Sequence, residues 1–69
     1  MTIDEFCKMK NFPKMKVLGE IKNFRYYIEK NPPDEDEGEP IVIIENIELN
    51  VFDPCSSDQT FAALDLFGE

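Results

Sequence analysis

Ten residues near the middle of the chain, Asn31-Pro32-Pro33-Asp34-Glu35-Asp36-Glu37-Gly38-Glu39-Pro40, constrain its fold more than any others. Prolines lack the amide that a helix interior or a central strand needs, and the glycine and the run of like charges favour solvent. The segment is expected to be an exposed, mobile acidic loop at 31–40. Sixty-nine residues are too few to divide between two cores, so both sides of the loop must build one domain, 1–69.

Before the loop, Thr2 followed by Glu5 forms a capping-box pattern, and Ile3, Phe6 and Cys7 recur at helical spacing. This predicts a short helix from Ile3 to about Lys10. Asp4 and Glu5 in its first turn and Lys8 and Lys10 in its last suit the helix dipole, and Pro13 stops it. From Lys14 to Glu29 the period falls to two, first in Met15 and Val17, then in Phe24, Tyr26 and Ile28. A turn or bulge within Gly19 to Asn23 would make a hairpin of this stretch.

After the loop, Ile41-Val42-Ile43-Ile44 reads as a buried strand, and Ile47, Leu49 and Val51 alternate with Glu48 and Asn50, as one bulged strand or as two. Asp53-Pro54 is expected to break the sheet. Ser56 or Ser57 then caps a last helix whose apolar face is Phe61, Leu64 and Phe67, with Ala62 at its edge. The expected fold class is α+β: a short N-terminal helix, an antiparallel sheet of three to four strands and a C-terminal helix packed on the sheet. Both helices are expected on one sheet face.

Charge is divided along the chain. All seven lysines and arginines, Lys8, Lys10, Lys14, Lys16, Lys22, Arg25 and Lys30, lie in the first thirty residues, against four acids there. The remainder carries eleven acids and no cation, which gives the net charge of −8. Such a chain forms either two faces of opposite sign or ion pairs between its halves.

Several functions are disfavoured by residue type. The chain has no histidine, and its two cysteines, Cys7 and Cys55, have no C-x-x-C spacing, so the familiar zinc sites are excluded. Two free thiols are expected, since Cys7 falls on an apolar helix face, where cysteine acts as a small hydrophobe. Ser56, Ser57 and Cys7 lack an imidazole to activate them, and a domain of this size scarcely has volume for a substrate cleft. No enzyme activity and no cofactor are expected. The acidic loop resembles a calcium loop at Asp34, Asp36 and Glu45, but Gly38 stands where a ligand is needed and Glu39 where the turn glycine should be. No metal site is expected. Lys22-Asn23-Phe24-Arg25-Tyr26-Tyr27 interleaves cations with aromatics as base-stacking strands do, yet an amphipathic core strand gives the same pattern, and a negative net charge repels phosphate. Direct nucleic-acid binding is not expected. The longest aliphatic run, Ile41 to Ile44, is far below the roughly twenty residues of a membrane span, and the start Met1-Thr2-Ile3-Asp4-Glu5 is unlike a secretory signal. A complete cytoplasmic protein with no membrane partner is expected.

Protein binding remains. Domains of this size are marginally stable, which makes a partner or a second copy of the chain a physical expectation. A globule of 69 residues has a radius of gyration of about 11 Å and so a diameter near 28 Å. B-DNA of that length carries roughly sixteen charges, a density that eleven acids approach. In size, acidity and lack of cofactor motifs the whole chain resembles the phage-type small acidic inhibitors, the anti-CRISPR and anti-restriction proteins, several of which are DNA mimics. The resemblance is one of overall character, without a motif match. It implies a non-catalytic inhibitor that blocks a basic, nucleic-acid-binding groove of a larger complex, in the host cytoplasm if the protein is phage-encoded. The candidate partner-binding residues are Asp34, Glu35, Asp36, Glu37, Glu39, Glu45, Glu48 and Asp53. The alternative is an antitoxin-like or immunity-like module whose contact is mainly apolar, through Phe61, Leu64 and Phe67 or an exposed strand edge.

Overall fold

Thr2 opens the first helix as its sequence predicts. Its hydroxyl accepts from the Glu5 amide at 3.2 Å while the Glu5 carboxylate accepts from the Thr2 amide at 2.9 Å, so two otherwise unpaired donors are satisfied reciprocally. The computed structural model describes residues 1–68, with every side chain in that range except that of Glu35. In it α1 spans Ile3–Lys10 and ends at Asn11, whose left-handed φ of 59° turns the chain so that the Phe12 amide returns to the Cys7 carbonyl at 2.8 Å. Phe12 thereby comes back against Phe6, with ring centroids 6.0 Å apart.

Strands β1 (Met15–Ile21), β2 (Phe24–Glu29), β3 (Val42–Asn46) and β4 (Val51–Pro54) form one antiparallel sheet in the order β1-β2-β3-β4. With helix α2 (Ser57–Phe67), the class is α+β as expected. The β1–β2 turn is Lys22-Asn23, with Lys22 at a φ of 54°, and the register shifts between Val17 and Gly19. The glycine therefore sits in a bulged strand rather than in the turn. Gly19 faces the Phe67 ring, and a Cβ at that position would overlap it.

Three local expectations are corrected. Ile47 and Leu49 belong to a turn, not a strand, because asparagine chemistry outweighs their alternation. The Asn46 side chain accepts from the Leu49 amide at 3.1 Å, Asn50 adopts a left-handed φ of 55°, and the Ile47 amide donates to the Asn23 carbonyl at 2.8 Å. Asp53 and Pro54 do not interrupt the sheet. They complete β4, an edge strand, where a proline withholds no donor from a second neighbour. Finally, Ser56 is the cap of α2, and its box with Gln59 sets the helix so that Thr60 and Ala63 are buried while Phe61 turns outward.

The helices lie on opposite faces of the sheet, not on one. Successive strand residues point to opposite faces, and the two halves of the core divide along that alternation. Phe6 and Cys7 of α1 pack with Tyr27, Ile43 and Phe52. Ala63 and Leu64 of α2 pack with Ile28, Val42, Leu18, Tyr26 and Cys55. Val42 and Ile43, adjacent in β3, are 1% and 0% exposed, so this central strand is covered on both sides. A continuous aliphatic run is what such a strand requires. The resulting three-layer body measures 35 × 26 × 17 Å with a radius of gyration of 11.4 Å. Among the described residues no helix is long and apolar enough to cross a membrane.

Candidate functional site

The meander has two ends. At one end lie the acidic loop between β2 and β3, the start of β1 and the start of α2; at the other lie the Lys22-Asn23 turn and the Ile47–Asn50 turn. Acids placed on different connections are therefore separated by the length of a strand, about 17 Å for the five residues of β3.

Asp34, Asp36, Glu37 and Glu39 are exposed at the first end. The loop is not featureless there. It makes a 3-10 turn over Glu35–Glu37, with the Glu37 amide donating to the Asp34 carbonyl at 2.9 Å. It is tied to the body at two points: the Ser57 hydroxyl donates to Glu39 at 2.7 Å, and the Ile41 amide donates to the Glu29 carboxylate at 2.8 Å. The bond from Ser57 brings the loop against the first turn of α2, where Asp58 is also exposed. The Glu35 side chain lies outside the described residues.

The other candidate acids go elsewhere. Glu48 is in the opposite turn, accepting from the Asn23 amide group at 3.2 Å. Asp53 is exposed on the edge strand β4. Glu45 is 8% exposed, and its carboxylate accepts from the Tyr27 hydroxyl at 2.7 Å with Arg25 Nη1 3.7 Å away. A carboxylate so enclosed has little surface left for a partner. Arg25 also meets Glu20 at 3.0 Å. The Tyr27 hydroxyl, followed by Glu20, pushes the Arg25 guanidinium further above its ordinary pKa. Burial, together with the bond to Glu45, pushes the Tyr27 hydroxyl up. This cluster is thus a donor–acceptor network within the fold.

Among the described residues Arg25 is the one cation in an ion pair. The six lysines are not drawn to the acids of the second half. Lys8 and Lys10 end α1, Lys14 precedes β1 and Lys16 lies in it, Lys22 is in the turn between β1 and β2, and the Lys30 amide donates to the Lys14 carbonyl at 2.9 Å. Neither arrangement that the charge pattern allowed is adopted cleanly: Arg25 pairs with Glu45 across the two halves, while Lys14 and Lys30 stand at the same end as the acidic loop without an ion pair among the described residues.

Only the two tyrosines of the cation–aromatic stretch are spent on the core; Phe24, expected inward with Tyr26 and Ile28, is exposed near the turn, and Tyr27 is buried because the sheet is covered on both faces. Tyr27 is buried beside Phe52, with ring centroids 6.3 Å apart, and Tyr26 packs on Phe67 at 5.2 Å. Cys7 and Cys55 are both free and lie on opposite sides of the sheet, and burial pushes both thiols above their ordinary pKa. Among the described residues no three cysteine, aspartate or glutamate side chains converge to hold a metal ion.

Sequence reasoning missed Asp58, Phe61 and Asp65 as neighbours. Their spacing of three and then four residues was the available signal, since it aligns side chains on one helix face. No protein-family model, curated protein or solved structure significantly matches the chain.

Proposed function

We propose that this protein is a non-catalytic, protein-binding inhibitor of the anti-CRISPR or anti-restriction kind. It sets the acidic end of its fold against a basic, nucleic-acid-binding groove of a larger complex, working in the cytoplasm, that of the host cell if phage-encoded. The observation that carries this reading is the unpaired acidity of one end. Asp34, Asp36, Glu37 and Asp58 are exposed together there with no cation in ion-pair reach among the described residues. Such a surface attracts a basic groove at long range and associates with it quickly and in a salt-sensitive way. Asp53 adds to the approaching field from the edge strand. Glu48 serves a different end of the molecule, and Glu45 serves the fold.

The test is capture of the partner from the native host, followed by titration at low and at moderate ionic strength. The reading predicts that affinity falls steeply with salt, that the chain displaces nucleic acid from the partner, and that reversing Asp34, Asp36 and Glu37 to lysine abolishes binding. Binding unchanged by salt and by the reversal would refute it.

A second reading has its own support. Ile21, Phe24, Ile47, Leu49 and Val51 are all exposed at the turn end, with Leu49 68% exposed. An apolar area of this kind suits an antitoxin-like or immunity-like contact or a homodimer. Leu64 and Phe67 do not contribute to it, since both pack onto the sheet. Salt-insensitive binding that is lost in Leu49→Lys would favour this reading over the first.

A further inference from the structure

Phe61 is 60% exposed on a helix whose inward positions are already filled. Two open grooves border its side chain. One, of about 540 Å³, is walled by Gly38, Glu39, Pro40 and Leu64. The other, of about 530 Å³, is walled by Ala62, Leu64 and Asp65. A single exposed apolar side chain is ordinary on any protein, so the exposure of the ring alone decides nothing.

Its surroundings say more. Asp58 and Asp65 stand three residues before and four residues after Phe61 on α2, where Cβ atoms are about 5–6 Å from the central one. Both are exposed. Glu39 reaches the same groove from the loop and is held there by the Ser57 hydroxyl. The chain has no lysine or arginine beyond Lys30, so neither α2 nor the loop supplies a cation of its own. An aromatic face with a carboxylate one turn away on either side, beside a short apolar groove, is a complementary site for one side chain in particular.

We propose that this surface receives an arginine from an arginine-rich segment of a protein partner. The guanidinium stacks on the Phe61 ring and forks toward Asp58 or Asp65, while its aliphatic stem lies over Leu64 and Pro40. Charge selects a cation, but three properties select arginine over lysine. Its planar group stacks on an aromatic face, its paired donors match a carboxylate, and it is more weakly hydrated than an ammonium. The stem suits the apolar wall. The proposal rests on the acidic-docking reading above and names the chemistry of what docks.

The full chain is titrated by fluorescence anisotropy with a serine-spaced arginine peptide and with its lysine counterpart of equal length and charge. The arginine peptide is expected to bind tighter by roughly three- to fivefold, the size of an exposed cation–π contact. Phe61→Leu keeps an apolar side chain but removes the aromatic face. It is expected to erase that preference and to leave lysine-peptide binding unchanged. The wild-type chain gives an independent readout, because stacking on Phe61 shifts the arginine δ-methylene protons upfield in the NMR spectrum of the bound peptide. Equal binding of the two peptides, with no upfield shift and no effect of Phe61→Leu, overturns the arginine site while leaving acidic docking intact. If neither peptide binds at low salt, both proposals fail.

Discussion

The Tyr27 hydroxyl of β2 donates a 2.7 Å hydrogen bond to the Glu45 carboxylate of the neighbouring β3, on the face that α1 covers. Removing that donor while keeping the ring isolates the bond. Tyr27→Phe is expected to destabilise the fold by about 1–3 kcal/mol, because a buried acceptor loses its strongest partner. Glu45→Gln keeps an acceptor there without the charge and is expected to cost less. Urea unfolding of both variants, at an unchanged slope, measures the difference.

Gly19 and Phe67 form the second tight relationship. A methyl group at Gly19 would occupy the space of the Phe67 ring, which also packs on Tyr26. Gly19→Ala is expected to cost about 1–3 kcal/mol, as overpacking does. Phe67→Ala is destabilising by itself, yet in its background the Gly19 substitution should be nearly silent. A double-mutant cycle that gives additive effects would show that the two residues do not meet.

The capping box of α1 makes a pH prediction. The Thr2 amide lowers the pKa of Glu5 from its ordinary 4.5, with the Thr2 hydroxyl adding to the effect. A carboxylate whose folded pKa is depressed stabilises the fold above its unfolded pKa and loses that contribution as pH falls through the folded value. Wild type should therefore lose stability below about pH 4.5 partly through Glu5, and Glu5→Gln should show a flatter acid limb while retaining a box acceptor. Thermal unfolding followed from neutral to acid pH compares the two.

The cysteines predict a kinetic order. Cys7 is buried under α1 and Cys55 is half-buried at the start of the α2 connection. Burial pushes both thiols up, so both should react slowly with a thiol reagent in the native state, Cys55 faster than Cys7. In denaturant the rates should converge. Mild oxidation should yield no intramolecular disulfide, since the sheet stands between them, and mass spectrometry of the monomer checks this.

Much of the fold was legible because its local signals agree with one another. The Thr2–Glu5 pair places α1 to the residue, and the strand periods around Phe24 and Val42 place β2 and β3. Errors arose where two local signals competed. Alternation in Ile47 and Leu49 suggested a strand, but the side-chain acceptor of Asn46 and the left-handed Asn50 made a turn. In α2 the spacing of Phe61, Leu64 and Phe67 suggested one inward face; Leu64 and Phe67 do pack on the sheet, but beside the smaller, buried Thr60 and Ala63, while Phe61 is exposed. Close approach of a helix to a sheet favours small side chains, and size alone cannot show that.

The sequence by itself determined that the chain is α+β, that its charges are divided along it, and that the segment from Asn31 to Pro40 is an acidic connection between two strands. These follow from composition and short-range spacing, which do not depend on where the elements pack. The tertiary structure decided which face each helix covers, that Glu45 turns inward to Tyr27 and Arg25 while the loop acids stay outside, and that Asp58 joins them. Those outcomes depend on strand register and helix rotation. A register shift of one residue would exchange the buried and exposed sets of a strand, and a rotation about its axis would change those of a helix, without altering any local signal.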